Sequence, residues 1–197
     1  MSGAPAAAIL AGGHARRFGG VAKGLEMVGG ARIIDRVVAA LREVTSQIVL
    51  VGAPGPIAAE LPGLQAIADE SPGSGPLGGI ISALAATGRD TVVVAWDMPF
   101  ITATELRPLV NAAGDAVVSA WEVEGRVEPL CALYRAAALP VLRNAYSAGE
   151  RSPREALRRL RVHLVRRDAG EGLDPFMSVN SAQQLEAARA AFHAATH

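Results

Sequence analysis

The sequence predicts an α/β fold in which a mainly parallel sheet carries helices on both faces. Short apolar runs rich in β-branched residues alternate along the chain with segments whose apolar residues recur at helical spacing. The run TVVVA at 91–95 is apolar after its first residue, as is typical of a strand buried on both faces. Hydrophobic residues make up 50% of the 197 residues, and no linker or repeat divides them. We therefore expect residues 1–197 to form a single domain with one core.

Strands are expected where apolar residues run together and turn-forming residues follow. The first run, AAAIL at 6–10, ends in a glycine-rich loop, and the second, IVLV at 48–51, is broken by Gly52. In chain order, the expected strands are 6–10, 48–51, 65–68, 91–95, 117–118 and 127–134.

Helices are expected from apolar periodicity and from capping residues. Ile34, Val37, Val38 and Leu41 fall on one face of a helix. The stretches TATE at 102–105 and SPRE at 152–155 are capping boxes, as is SAQQ at 181–184. In chain order, the expected helices are 31–41, 77–87, 102 to about 113, and two that begin near Ser152 and Ser181.

Composition limits the classes of partner. The net charge is zero and the isoelectric point is about 6.9, which gives no electrostatic case for binding nucleic acid or an anionic membrane. No apolar segment approaches the roughly 18 residues of a membrane span, and no charged segment precedes the first apolar run, so a cytoplasmic location is expected. The single cysteine, Cys131, stands in an apolar run and is expected to be a buried strand residue rather than a nucleophile.

A glycine-rich, basic loop follows the first expected strand. Glycine lets backbone N–H groups converge on an anion, and Arg and Lys add the charge that suits a polyphosphate. Lys23 is followed by Gly24, unlike in a Walker A loop, and Gly12 and Gly13 are adjacent, unlike in the dinucleotide fingerprint. From Leu10 to Leu25, the basic residues are Arg16, Arg17 and Lys23, and the glycines are Gly12, Gly13, Gly19, Gly20 and Gly24. The loop predicts a nucleoside triphosphate site, with a structural turn bearing exposed charges as the alternative.

Two acidic residues stand at the ends of other expected strands, where ligands of such sheets bind. Asp97 directly follows the run 91–95 and precedes Pro99. This placement suits Mg²⁺, which takes one or two carboxylates besides phosphate oxygens. Asp69 opens a second loop rich in glycine and proline. Asp also favours turns and helix caps, so each carboxylate has a structural alternative.

The pattern L-A-G-G-x-x-x-R-x-G-G-x-x-K-G-L at 10–25 resembles the nucleotide-binding loop of the molybdenum cofactor guanylyltransferases. These belong to a wider sugar-nucleotide-transferase-like family, and the resemblance implies a Rossmann-like fold of the nucleotide-diphospho-sugar-transferase type. The resemblance extends to Asn180 through shorter motifs. They are GPLGG at 75–79, DMPF at 97–100, EPLCALY at 128–134, GER at 149–151 and SVNS at 178–181.

The resemblance implies transfer of GMP from Mg-GTP to the terminal phosphate of molybdenum-bound molybdopterin, with release of pyrophosphate. GTP and molybdenum-molybdopterin are then the small-molecule partners, Mg²⁺ is the cofactor, and molybdoenzymes or cofactor-biosynthesis proteins are possible protein partners. The implied roles are nucleotide binding by Leu10, Ala11, Gly12, Gly13 and Asp69, charge neutralisation by Arg17 and Lys23, Mg²⁺ binding by Asp97, and pterin-side binding by Asn180.

Two alternatives stay open at this level. One is a related nucleotidyltransferase with another base or acceptor, of the cytidylyl or phospholactate type, although cytidine-using relatives tend to have LAAG where LAGG stands at 10–13. The other is a non-catalytic nucleotide-binding module, against which Lys23 and Asp97 both argue. The chain also departs from the family pattern: Ser178 replaces an asparagine, and Gly52 lies in a turn where the guanylyltransferases can carry a nucleotide-contacting asparagine.

Overall fold

A computed structural model describes residues 4–12, 22–53, 55–70, 73, 75–112, 114–168 and 172–196. Its strands form one large sheet and one short hairpin. The strands are β1 (Ala6–Leu10), β2 (Met27–Val28), β3 (Ala31–Arg32), β4 (Ile48–Val51), β5 (Gln65–Ile67), β6 (Thr91–Ala95), β7 (Val118–Val123), β8 (Arg126–Tyr134) and β9 (Val162–Arg167). The helices are α1 (Ile33–Arg42), α2 (Gly55–Ala59), α3 (Gly75–Thr87), α4 (Ala103–Val110), α5 (Leu139–Ser147), α6 (Pro153–Leu157) and α7 (Ala182–Thr196), with short 3-10 helices at Lys23–Leu25 and Ala136–Ala138.

The large sheet has seven strands in the order β5-β4-β1-β6-β8-β7-β9. Neighbouring strands are parallel except on either side of β8, which runs antiparallel to both β6 and β7. The central strand β1 pairs with β4 and β6 in register, so that Leu10 lies between Val51 and Ala95. The carboxyl ends of β1, β4, β5 and β6 therefore meet at one edge of the sheet, and the expected mainly parallel sheet is confirmed.

Helices cover both faces of this sheet. On one face, α1 and α4 bury side chains such as Ile34 and Leu106 against Ile9 and Val94. On the other face, α3, α5 and α6 pack over Ala8 and Val93. This two-sided burial explains why the central strands are almost wholly apolar, and it confirms the expected α/β architecture.

A third, smaller cluster joins the C-terminal helix to the β2–β3 hairpin. Leu185 and Ala188 of α7 are buried with Val28 and Phe100. Val179, three residues before α7, belongs to the same cluster and is 0% exposed. The start of α7 is thus fixed next to the loop that follows β6.

Several element boundaries differ from the sequence expectation. The helix expected over 31–41 begins at Ile33, because residues 31–32 pair in the hairpin, and the helix expected to reach about residue 113 ends at Val110, two residues after Pro108. The strand expected at 117–118 extends from Val118 to Val123. The sequence reading did not find α2, α5 or β9. No helix among the described residues is both long and apolar enough to cross a membrane.

Candidate active site

The loops that leave β1, β4 and β6 are tied together at the carboxyl edge of the sheet. The backbone N–H of Ala11 donates to the carbonyl of Val51 at 2.9 Å, and that of Trp96 donates to the carbonyl of Leu10 at 3.2 Å. These bonds continue the sheet one residue past each strand. They place Gly12 and Asp97, which follow directly, at the edge where ligands of such sheets bind.

Gly12 and Gly52 approach each other closely. Gly52 has a φ of +74°, and a Cβ built on it would lie 3.3 Å from the Cα of Gly12. A side chain at position 52 would therefore need a left-handed backbone and a shift of the β1 loop. Gly12 itself is exposed, and among the described residues the nearest atoms to a Cβ built on it belong to Gly52, at 4.0 Å. The described part of the chain therefore leaves the backbone of Gly12 open to a ligand.

Lys23 opens a 3-10 turn that presses against the loop after β6. The amide of Leu25 donates to the carbonyl of Ala22 at 2.9 Å and closes the turn. A Cβ on Gly24 would lie 2.5 Å from the Cε3 of Trp96, so only glycine permits this approach. Steric fit therefore explains why glycine follows Lys23. Because Gly24 has no side chain, the turn packs against Trp96, and Lys23 lies close to the residue that precedes Asp97.

Asp97 is a half-buried carboxylate next to this lysine. Burial raises the pKa of the Asp97 carboxyl above its usual value, while the Lys23 ammonium and the backbone amide of Asp97 partly oppose the shift. The carbonyl of Asp97 accepts a hydrogen bond from the amide of Val179 at 2.9 Å. The loop is thereby anchored to the segment that leads into α7, and its carboxylate carries a charge that burial disfavours.

Asn180 completes a group of three polar side chains. The ammonium Nζ of Lys23 donates to Oδ1 of Asn180 at 2.7 Å, across 157 positions of sequence. Lys23, Asp97 and Asn180 were each predicted as site residues, and the structure brings them together. Ser178, which stands where an asparagine was expected, is half-buried two positions earlier.

Asp69 lies at the end of β5 and is held from α3. The hydroxyl of Ser82 donates to Oδ1 of Asp69 at 3.1 Å and accepts from the amide of Glu70 at 2.9 Å. Ser82 is 1% exposed. Sequence reasoning missed it, although a single hydroxyl within the apolar run IISALAA at 80–86 was a signal. Ser82 fixes the carboxylate that the sequence analysis expects to contact the nucleotide.

Charged side chains of the motifs at 128–134 and 149–151 interact with neighbouring residues, Glu128 with Arg154 and Arg151 with Tyr146. Burial raises the pKa of Glu128, and Arg154, whose Nη2 lies 3.3 Å from Oε1 of Glu128, opposes the shift. The guanidinium of Arg151 stacks 4.0 Å above the ring of Tyr146.

Cys131 is wholly buried in β8 and burial raises its thiol pKa, which agrees with its expected core position. Gly13, Arg16 and Arg17 lie outside the described residues.

Among the described residues there is no group of three or more His, Cys, Asp and Glu side chains arranged to hold a metal ion. Transfer of a nucleotidyl group uses positive charge for the phosphates and a carboxylate for a cation, and Lys23 and Asp97 place one charge of each sign at the carboxyl edge of the sheet. Such a pair on a mainly parallel α/β sheet is the arrangement expected of a nucleotidyltransferase.

Comparisons with known proteins give the family. Residues 7–167 match the model of the MobA-like NTP transferase domain, and the chain belongs to this family. A probable molybdenum cofactor guanylyltransferase of Chloroflexus aggregans is 40% identical over 149 residues, which cover 73% of this chain and 71% of the relative. The molybdenum cofactor guanylyltransferase of Desulfosudis oleivorans is 31% identical over 194 residues, covering 94% of this chain and 95% of the relative.

A similar solved structure comes from the same family as both sequence relatives. The crystal structure of molybdopterin-guanine dinucleotide biosynthesis protein A from Archaeoglobus fulgidus superposes with a TM-score of 0.74 at 27% identity. The match covers 93% of this chain and 96% of that protein. The family that the loop at 10–25 resembles is therefore the family that the comparisons find.

Proposed function

We propose that this chain transfers GMP from Mg-GTP to the terminal phosphate of molybdenum-bound molybdopterin, with release of pyrophosphate. The observation that carries the proposal is the meeting of Lys23, Asp97 and Asn180 at the carboxyl edge of the sheet. These residues come from three of the motifs for which the sequence resembles the guanylyltransferases, at 10–25, 97–100 and 178–181. Two relatives named for this activity match 73% and 94% of the chain and support the same substrates.

Asp97 suits Mg²⁺ as the cation of this reaction. Its carboxylate is half-buried, and burial raises its pKa, so a bound cation stabilises the ionised form. A hard cation with oxygen ligands fits a single carboxylate plus phosphate oxygens better than zinc, which needs several protein ligands. When bound, Mg²⁺ neutralises charge on the reacting phosphates. Asp97 is the protein ligand in this proposal.

The remaining residues bind and orient the substrates. The backbone of Leu10, Ala11, Gly12 and Gly13 holds the base and phosphates, and Lys23 and Arg17 neutralise charge that builds on the leaving pyrophosphate. Asp69, fixed by Ser82, contacts the nucleotide, and Asn180 contacts the pterin substrate. The acceptor phosphate is itself the nucleophile, so positioning and charge neutralisation provide the catalysis and no general base is needed.

The test is a nucleotide screen. The purified protein is supplied with molybdenum-molybdopterin and each of the four nucleoside triphosphates at saturating Mg²⁺, and pyrophosphate and the dinucleotide product are measured. GTP should give by far the highest kcat/KM, and omission of either Mg²⁺ or the acceptor should stop pyrophosphate release. A preference for CTP, or equal release without the acceptor, would contradict the proposal.

Two wider expectations belong to the same proposal. We take residues 1–197 to act as one nucleotidyltransferase domain, because α7 packs on the β2–β3 hairpin and reaches the site through Val179 and Asn180. Molybdoenzymes or other proteins of cofactor synthesis are expected partners, since the product is a cofactor that must be handed on.

A further inference from the structure

We propose that Gln184, on the first turn of α7, is a positioning residue that sets the phosphate-binding lysine through Asn180. Oε1 of Gln184 accepts the backbone N–H of Asn180 at 2.7 Å. The side chain of the same asparagine accepts from Nζ of Lys23, also at 2.7 Å. Two hydrogen bonds thus connect the third residue of a C-terminal helix to the ammonium group of the site. The inference rests on the proposed function, in which Lys23 acts on the phosphates.

The start of α7 is held firmly enough to act in this way. The amide of Gln184 donates to Oγ of Ser181 at 3.2 Å, so the glutamine is fixed at its backbone while its side chain reaches back along the chain. One residue before Asn180, the buried Val179 donates its amide to the carbonyl of Asp97. Leu185, the next residue of α7, is buried against the β2–β3 hairpin. Asn180 is exposed, but its backbone is fixed from both sides.

The position of a lysine ammonium group depends on hydrogen-bonding partners more than that of most polar groups does. Its ammonium group ends a flexible four-carbon stem, and a position for it must be selected from many rotamers. The Gly24–Trp96 contact fixes the backbone of the turn but does not reach the ammonium group. Asn180 provides the acceptor that selects an orientation, and Gln184 keeps Asn180 in place. Loss of Gln184 should therefore act on the reaction through Lys23.

The experiment is a double-mutant cycle with a matched control. Gln184→Ala is compared with Gln183→Ala, an exposed glutamine one position earlier on the same helix, and both are made with and without Lys23→Ala. The dissociation constant of Mg-GTP and the kcat/KM of transfer are measured. Gln184→Ala should lower kcat/KM about fivefold to tenfold in the wild-type background and less than twofold in the Lys23→Ala background, because the two residues act as a unit. Gln183→Ala should change neither quantity.

Lys23 is the only lysine of the sequence, which adds a readout independent of activity. Selective ¹⁵N-lysine labelling gives a single side-chain ammonium signal, and that signal should shift in Gln184→Ala and stay unchanged in Gln183→Ala. Equal losses of kcat/KM with and without Lys23, together with an unshifted signal, would overturn the inference. If Gln184→Ala unfolds, Gln184→Met enters the same cycle, because it keeps the length of the side chain and removes the oxygen that accepts the amide of Asn180.

The two proposals fail in different ways. If the wild type transfers another nucleotide, the guanylyl assignment is wrong, while the coupling between Gln184 and Lys23 can still be measured with that nucleotide. If the wild type uses GTP but the effects of Gln184→Ala and Lys23→Ala simply add, Gln184 does not act through Lys23, and the guanylyl assignment stands.

Discussion

Lys23 interacts with two groups at once: its charge partly opposes the burial that raises the pKa of Asp97, and its Nζ donates a hydrogen bond to Asn180. Lys23→Ala should lower kcat about a hundredfold or more, because a charge contact made in the transition state is worth roughly 2–4 kcal/mol. The measurement is single-turnover transfer at saturating GTP. Arg42→Ala, at an exposed position in the last turn of α1, is the matched control. A small loss of equal size in both variants would remove Lys23 from the mechanism.

Gly12 allows a test of base choice that leaves the protein itself undisturbed. A Cβ at this position would be 4.0 Å from its nearest neighbours among the described residues, so Gly12→Ala should fold normally. In the proposed function the guanine approaches this backbone closely, and a methyl group that intrudes on a fitted ligand costs about 1–3 kcal/mol. We expect kcat/KM for GTP to fall about tenfold to a hundredfold, with a smaller fall for CTP.

The control for Gly12→Ala is its thermal unfolding curve, which should match that of the wild type. An unchanged ratio of GTP to CTP use in this variant would show that the base does not approach Gly12. A wild type that already prefers CTP would show that the loop at 10–13 does not select guanine.

At the scale of elements, the 3-10 turn at 23–25 and the loop after β6 fit together through one missing side chain. Gly24→Ala would place its Cβ 2.5 Å from the ring of Trp96, which is itself buried at 4% exposure. Overpacking of this kind costs roughly 1–3 kcal/mol. The melting temperature should therefore fall by several degrees, at about 2–4 °C per kcal/mol for a chain of this size. Transfer should fall as well, because the turn carries Lys23.

The matched control for Gly24→Ala is Gly55→Ala. Gly55 begins α2, and a Cβ there would meet no atom of the described residues within 4 Å. Adding Trp96→Phe to Gly24→Ala should recover part of the lost stability, since the smaller ring leaves room for the methyl group. A melting temperature of Gly24→Ala equal to that of Gly55→Ala would mean that the ring moves aside at no cost.

The strands and helices differ in how well the sequence predicts them. The strands 6–10, 48–51 and 91–95 have the predicted bounds because each is a short apolar run buried on both faces. The strand β9 was missed because it lies at the sheet edge, where polar residues interrupt the apolar pattern. Helix α5 was missed because its first turn contains Pro140 and only two of its nine residues are buried, which leaves a weak apolar period.

In the candidate site, some residues could be found from sequence motifs and others only from the folded structure. Lys23 and Asp97 could be singled out from the sequence because each stands in a recognisable motif at the carboxyl end of an expected strand or in the loop after it, and the charge of Lys23 acts on the Asp97 carboxyl in the structure. The Lys23–Asn180 and Ser82–Asp69 hydrogen bonds join side chains 157 and 13 positions apart in the sequence. Local pattern can mark one member of such a pair, as the lone hydroxyl of Ser82 does, but it does not say which residue that side chain contacts. Only the fold, which brings α7 and α3 to the sheet edge, makes these contacts visible.

For the molecule as a whole, Asp97 links stability to pH. Its pKa is raised by burial more than the Lys23 ammonium lowers it, so the folded protein holds this proton more tightly than the unfolded chain does. The stabilising contribution of the protonated form is present below the ordinary Asp pKa of about 3.9 and is lost as pH rises through the folded value. At neutral pH the ionised Asp97 therefore lowers the free energy of unfolding. The carboxylate that the proposed metal site needs is held at a cost to the fold.

Asp97→Asn should consequently raise the melting temperature at pH 7 while abolishing Mg²⁺-dependent transfer. The substitution keeps the shape of the side chain and removes the buried charge, and the gain should shrink toward zero as the pH approaches about 4, where the wild-type carboxyl also becomes neutral. Melting curves from pH 4 to pH 8 without metal measure the difference, with Asp168→Asn at an exposed position after β9 as the control. A gain that does not vary with pH would assign the effect to packing rather than to charge. Normal transfer across a Mg²⁺ titration would place the metal elsewhere and leave Asp97 as a turn residue, because a metal ligand cannot be replaced by an amide without weakening the site.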